Sequence, residues 1–316
     1  MVRLGLCCSF LEEPIKFRTT TARYSATLSD RDRIAFYNEL AHHNARSLLD
    51  AITWCSEHGI GAFRINSGVL PMFTHPEVGW SLASAAAEGV ADVLRAANVK
   101  RRDLDVRLSF HPDQFVVLGS AKSSVVAASI AELEYMAQVA SLVGAEQMTV
   151  HGGGAQGGKA DSLERFAAGV AQLSPLARSL LVLENDDRVY TVEDLLPVCE
   201  KLGLPLVYDV HHHRCNPDRL GVEQATELAA ATWGDREPWA HLSSPALGWR
   251  TGDPRPHADY IATRDVPSYW LGRRLTVDVE AKAKERAVLR LRGWLAARDK
   301  PAVRAGTRAA RGLQPR

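Results

Sequence analysis

Short apolar runs alternate with long amphipathic segments from one end of the chain to the other, and no other feature narrows the possible folds so far. The short runs are Leu4–Ser9, Gly61–Asn66, Asp105–Phe110, Gln147–Val150, Leu180–Leu183, Pro205–Tyr208, Trp239–Leu242 and Arg274–Val279. The first long segment is Asp30–His58, where Ile34, Phe36, Leu40, Leu48, Leu49 and Ile52 recur at helical spacing. The others are Ser81–Ala97, Ser123–Val143, Ser162–Leu173, Val192–Leu202, Gly221–Thr232 and Ala281–Arg298. Such a series is the pattern of repeated β-α units around a parallel sheet, and only the seventh unit lacks a long helix. The expected fold is α/β, an eight-stranded TIM barrel, and 316 residues suit one such barrel. No repeat, low-complexity tract or Pro/Gly-rich linker divides the chain, so residues 1–300 read as one domain. The tail after Asp299 carries five basic residues and no acid, and residues 301–316 are expected to be disordered.

Hydrophobic residues at 46% and charged residues at 24% exclude a disordered or fibrous chain. The most apolar stretches, such as Leu202–Tyr208, break off within about ten residues, far short of the roughly 20 that span a bilayer, so no membrane helix is expected. Cys7, Cys8, Cys55, Cys199 and Cys215 are odd in number without C-x-x-C spacing, and the N-terminus lacks a secretory leader. A reducing cytoplasm is the expected compartment. A formal net charge of +1 excludes the strongly basic type of nucleic-acid-binding domain, so any contact with a polyanion must be local. One local source is the basic stretch Ile15–Arg33, with Lys16 and Arg18 as candidate phosphate contacts. It overlaps a first β-α connection, about Phe10–Ser29, that is unusually long and reads as either a functional loop or a floppy insertion.

Of the eleven histidines, His42, His43 and His58 fall in the first helix and read as surface or packing residues. The rest follow strands. In order they are His75, His111, His151, the triplet His211, His212 and His213, then His241 and His257, joined by the carboxylates Glu184, Asp209 and Glu280. In a β/α barrel the C-terminal strand ends converge on one face, where active sites form. Any one histidine at a strand end is more often structural than a ligand; the joint pattern carries the metal reading. Imidazoles and carboxylates without thiolates suit Zn²⁺, Mn²⁺ or Fe²⁺, and the number of ligands favours two or three ions sharing carboxylates. That arrangement clamps the attacking and leaving oxygens of a phosphoryl group, so phosphodiester hydrolysis is the expected reaction. The triplet cannot all face one site, and His75 lies furthest past its strand. The glycines after His151 match no phosphate-loop spacing and read as room for the backbone to approach a bulky ligand. Asn185 and Asp186 either orient imidazoles or cap the next helix.

The segments LGLCC, IKFRTTT, FRINS, HPDQFVVLGS, VHGGG, LENDD, YDVHHHRCNP, HLSSP, HADYI and VEAKAKE, spread over residues 3 to about 287, make the chain resemble the UV-damage endonucleases, relatives of endonuclease IV by fold. The resemblance implies a DNA repair enzyme holding two or three divalent ions, usually Mn²⁺, with Zn²⁺ or another divalent cation as alternatives. It implies a cut immediately 5′ to a photoproduct in double-stranded DNA, leaving a 3′-hydroxyl and a 5′-phosphate. Carried over, the ligand positions are His111, His151, Glu184, Asp209, His212, His241, His257 and Glu280, with His75 close by, and Glu184 and Glu280 are the expected catalytic carboxylates. His212 is thereby singled out of its triplet. Strand order then suggests one ion at His111, His151 and Glu184, a second at Glu184, Asp209, His241 and Glu280, and a third at His212 and His257. The resemblance places Gln114 and Phe115 beside the metals as probes of a distorted or flipped dinucleotide.

One position departs from the family pattern: Trp239 stands where relatives commonly carry a lysine at the metal centre. Tryptophan neither ligates a metal nor carries a carbamate. The chain is expected to act as a monomer on damaged DNA in the cytoplasm, with the nucleoid in a prokaryote. The competing readings are an abasic-site endonuclease, a metal-dependent sugar isomerase on the same barrel, and an inactive lesion-binding protein.

Overall fold

A computed structural model describes residues 2–298, so the basic tail lies outside the described residues. Eight parallel strands close into one barrel in sequence order. They are β1 (Val2–Cys7), β2 (Ala62–Ile65), β3 (Arg107–Phe110), β4 (Met148–His151), β5 (Leu181–Glu184), β6 (Leu206–Asp209), β7 (Trp239–Leu242) and β8 (Leu275–Val279). Each falls within or overlaps a run expected from the sequence. Around them lie α1 (Ala22–Ser25), α2 (Asp30–Glu57), α3 (Val90–Asp103), α4 (Ser123–Val143), α5 (Lys159–Val170), α6 (Pro175–Leu180), α7 (Val192–Leu202), α8 (Val210–Cys215), α9 (Val222–Ala231) and α10 (Lys284–Arg298). The seventh unit has only two single 3₁₀ turns, Thr263–Asp265 and Ser268–Trp270, as its sequence suggested.

Strand alternation separates two interiors. One set of side chains, including Phe63, Leu108, Phe110, Met148, Leu183, Leu206 and Val277, faces outward and joins Leu48, Ile52, Leu94, Leu133, Met136 and Phe166 of the helices in the main core. The other set fills the barrel. Its lower part is a separate apolar cluster of Ala62, Val182, Val207, Trp233 and Trp239. The indole of Trp239 is buried, with the Arg107 guanidinium 4.1 Å above its ring. Above it, toward the C-terminal strand ends, the inward residues turn polar.

Two expectations need correction. The helix expected over Ser81–Ala97 begins instead at Val90, after Gly89, whose φ of 71° is left-handed. The residues before it form a short 3₁₀ turn, held as a loop because Asn38 of α2 donates to the carbonyls of Ala86 (3.1 Å) and Glu88 (3.0 Å). Second, α4 is long and apolar enough to cross a bilayer by length and composition, although no single unbroken apolar run suggested such a segment. In the fold it is one of the barrel's surrounding helices, with Leu133, Met136, Val139 and Val143 buried in the core.

The long first connection is ordered. The Glu285 carboxylate accepts from the backbone N–H groups of Leu11 (2.8 Å) and Glu12 (2.7 Å), Asn44 of α2 brackets the Arg18 backbone, and Ser47 donates to the Lys16 carbonyl at 2.8 Å. The three histidines of α2 and its end, His42, His43 and His58, each meet a backbone carbonyl and serve packing, as expected.

Candidate metal centre

The strand ends supply the site residues in register. His151, Glu184 and Asp209 are the last residues of β4, β5 and β6, while His111 and Glu280 follow β3 and β8 directly. Their inward orientation follows from the alternation, since each lies two residues beyond another residue facing the barrel interior. His241 lies within β7, opposite Asp209 of β6 and Asp278 of β8.

Glu184 is the hub. It is buried, and its Oε2 lies 2.9 Å from His111 Nε2 and 3.6 Å from His151 Nε2. Its Oε1 lies 2.8 Å from His241 Nδ1 and 3.4 Å from His212 Nδ1. Burial pushes the Glu184 carboxyl up, but the imidazoles of His241 and His151 beside it and hydrogen bonds from His111 and His212 outweigh it and hold it well below the usual range. Burial likewise lowers His151 against the pull of Glu184. His212 is desolvated too, yet Asp209 and Glu184 raise it well above the ordinary imidazole value.

The histidine triplet sits on α8, so about 100° of helical rotation separates successive rings. Asp209 caps this helix, its Oδ1 accepting from the His212 N–H at 2.7 Å, which leaves Oδ2 3.6 Å from His212 Nδ1. His212 therefore faces Glu184. His213 instead meets the Tyr208 hydroxyl (2.6 Å) and Asp218 (3.1 Å), and His211 turns toward Trp249 and the Arg255 carbonyl. Asn185 takes the orienting role expected of the pair, whereas the cap of the next helix falls to Thr191. Asn185 clamps the Asp209 backbone through both its amide oxygen and nitrogen (3.0 and 2.9 Å), and its carbonyl meets His212 Nδ1 at 3.0 Å. Asp186 accepts the N–H groups of Arg188 and Tyr190 and holds the following turn.

Among the described residues, two sets of three side chains bring ligand atoms within 4.8 Å of one another: His111, His151 and Glu184, and then Glu184, Asp209 and His212. Buried atoms without a hydrogen-bond partner, Asp209 Oδ2 and His151 Nδ1, belong to these same sets. Open lone pairs in a carboxylate-imidazole cluster are what a divalent cation satisfies, so the residues fit the expected ions. The grouping differs from strand order, which joined His241 and Glu280 to Asp209. His257, delivered by a loop that bridges to Pro245, reaches Glu280 Oε2 at 3.7 Å, and its ring lies 6.4 Å from that of His212.

Four further expected residues, His75, Trp239, Arg18 and Lys16, fall outside these two sets. His75 folds into its own loop, where Nδ1 accepts from the N–H groups of Glu77 (3.2 Å) and Val78 (3.3 Å). Trp239 leaves no gap for a missing lysine, because its ring packs low in the barrel with Ala62, Val182 and Val207. Arg18 is tied at 2.6 Å to Glu39 in an exposed pair, whereas Lys16 is exposed and bends back to the carbonyls of Phe10 and Leu11 at 3.4 Å. Next to the cluster, Gln114 lines a pocket of about 260 Å³ with Pro112, Asp113, His151, Asp186 and His212. Phe115 stands out at 76% exposure, not in the core. Two of the three glycines after His151 have a packing cause: a Cβ on Gly152 would come within 2.6 Å of the Tyr190 ring, and one on Gly153 within 2.7 Å of Val117, whereas one on Gly154 would meet open space.

Arg64 and Asp278 escaped the sequence reading. Arg64 of β2 sends Nη1 to Glu280 Oε1 (2.6 Å), Nη2 to His241 Nε2 (2.9 Å) and Nε to Asp278 Oδ2 (3.1 Å). In FRIN and TVDVE these polar residues alternate with apolar ones as they would on a strand with one solvated face; here that face is the barrel interior.

Comparison with known proteins comes down on one family. Its model, described as UV-endonuclease UvdE, matches residues 2–306. A UV-damage endonuclease of Neurospora crassa is 33% identical over 92% of this chain, which spans only 50% of that relative's length. A UV DNA damage endonuclease of Nostoc sp. is 30% identical over 92% of this chain and 89% of its own. Among solved structures, SacUVDE superposes with a TM-score of 0.82 at 27% identity, covering 95% of this chain and 100% of that one. Endonuclease IV from Thermus thermophilus shares the fold at a TM-score of 0.60 and 17% identity, covering 93% of this chain and 99% of that one.

Proposed function

The chain belongs to the UV-endonuclease UvdE family, and from that premise we propose that it is a metal-dependent DNA repair endonuclease that cuts the phosphodiester backbone immediately 5′ to UV photoproducts. It acts as a monomer on damaged double-stranded DNA in the cytoplasm and leaves a 3′-hydroxyl and a 5′-phosphate. The observation that carries the reading is the Glu184 carboxylate, buried at the barrel mouth and surrounded by His111, His151, His212 and His241.

His111, His151 and Glu184 are proposed to hold one divalent ion and Glu184, Asp209 and His212 a second, Mn²⁺ being the proposed metal. Such ions supply Lewis acidity to a bound phosphodiester and lower the pKa of water. The chain's own residues prepare that chemistry. Asp209 fixes His212 through the cap of α8, and Asn185 fixes Asp209, so the donors are aligned before any ligand arrives. Glu184, kept ionised by its imidazoles, offers one oxygen to each set. His257 and Glu280 line the same mouth. Gln114 and the exposed Phe115 lie on the neighbouring loop, suited to filling the space left when a lesion unstacks, which a damaged step does more readily than an intact one. Lys16 and Arg18 add phosphate contacts from the first loop.

The test uses purified full-length chain, Mn²⁺ and separately labelled duplexes with a cyclobutane dimer, a 6-4 photoproduct, an abasic site or no lesion. Nicking 5′ to the photoproducts is the expected result. Cutting confined to the abasic duplex would transfer the protein to the endonuclease IV type of specificity, and no nicking with any divalent metal would end the enzyme reading.

A further inference from the structure

The corner of the site formed by His241 and Glu280 is already occupied by a positive charge of the protein's own. Arg64 is buried, as are Asp278 and His241, and its three guanidinium nitrogens each meet one partner: Glu280 Oε1, His241 Nε2 and Asp278 Oδ2. A guanidinium stays protonated in proteins and offers donors only. His241 Nε2 must therefore accept, which places the imidazole proton on Nδ1, where Glu184 Oε1 receives it at 2.8 Å. Both nitrogens of His241 are thus committed, and so is the inner oxygen of Glu280. Asp278 Oδ2 is engaged by Arg64 as well, lying 3.8 Å from His241 Nε2.

The fold is built around this fork. Asp278 has room inside the barrel because its β1 neighbour is Gly5; a Cβ there would lie 2.1 Å from Asp278 Oδ1. From the strand-seven side nothing replaces the fork, since Trp239 is packed among Ala62, Val182 and Val207. A divalent ion bound by His241 and Glu280 together would meet a guanidinium in hydrogen-bonding contact with both of its ligands. Burial leaves little water to screen that repulsion.

We propose that Arg64, clamped by Asp278, is a resident cation that takes the place of a metal ion at the His241–Glu280 corner, so that the centre takes two divalent ions and not three. The inference rests on the metal-centre reading above but not on which lesion is cut. The charges are consistent with it. Two divalent ions and Arg64 face the carboxylates Glu184, Asp209, Asp278 and Glu280, whereas a third ion would leave a large uncompensated positive charge in a buried site. Arg64 is on this view a positioning residue: it orients His241 and Glu280 and touches no substrate.

The experiment is anomalous diffraction at the manganese edge on crystals of the full chain soaked in Mn²⁺, with metal per chain counted in solution after chelation, reloading and desalting. Two peaks are expected, one at His111, His151 and Glu184 and one at Glu184, Asp209 and His212, matching two ions per chain. A peak bonded to both His241 and Glu280, or three ions per chain, overturns the proposal. Arg64→Gln is expected to gain an ion at that corner and Arg64→Lys to stay at two; an unchanged count in a folded Arg64→Gln protein overturns the role given to Arg64. If that variant does not fold, the wild-type peaks still decide. Absence of any bound ion would sink the metal-centre reading together with this one, whereas two ions without nicking would sink only the proposed activity.

Discussion

The two ends of the barrel interior are both polar, yet they are neutralised in opposite ways. At the N-terminal end, Arg107 bonds Glu146 (2.8 Å) and Thr276 (2.7 Å) and reaches Glu237 at 3.4 Å, while Arg3 joins Glu237 (3.3 Å) to Asp105 (3.1 Å). Each of these charges meets an opposite one from another strand or loop, and the network closes on itself. At the C-terminal end Glu184 faces only imidazoles, and Asp209 Oδ2 and His151 Nδ1 have no partner. Self-paired charge holds a barrel shut, and charge left without a protein counterpart calls for cations from outside.

That contrast can be broken experimentally. The largest effect is expected from Glu184→Gln, which should slow nicking of a dimer-containing duplex by about 1,000-fold or more, the scale of losing a key electrostatic group at a reacting centre. Its denaturation midpoint should fall, because the stabilisation of the ionised carboxylate by its imidazoles is lost, but less than that of a paired-end variant; an equal drop would erase the distinction. Arg107→Met should do the reverse. Stripping Glu146 and Glu237 of their partner should remove roughly 3 kcal/mol of stability in a denaturant titration, with nicking per folded molecule preserved. Phe115→Ala touches neither end of the interior. A loss of about 1–2 kcal/mol in binding to damaged duplex, with binding to intact duplex and stability both unchanged, is expected from the stacking of one exposed ring. The smallest effect is that of pH on the open end. Because His212 is raised, protons compete with metal there, so Mn²⁺ affinity measured by calorimetry should weaken as pH falls, by up to about tenfold per unit for one competing proton. An affinity flat between roughly pH 8 and pH 6 would show that no proton is displaced.

Most of this architecture could be read from residue order. The eight strands stood out because their apolar runs are short and evenly interleaved with helical periods, and His111, His151, Glu184, Asp209 and Glu280 because each ends or directly follows one of those runs. His212 could not be separated from its neighbours by spacing; family resemblance chose it, and the one-turn helix capped by Asp209 supplies the physical reason. Arg64 and Asp278 stayed hidden because a strand's polar face looks the same in sequence whether it meets water or the inside of a barrel. His75 was placed near the centre by order and by the resemblance, and a local turn engages its Nδ1. Trp239 showed what was missing from the expected centre without showing that the indole had become filler.

That filler has a consequence for traffic. With Trp239 sealed among Ala62, Val182 and Val207 and backed by Arg107 of the N-terminal end, the barrel is a well with a floor instead of a tube. Whatever enters the proposed centre must enter by its single mouth, and must leave by the same route. A duplex bound as proposed would lie across that mouth and close the well above the cluster.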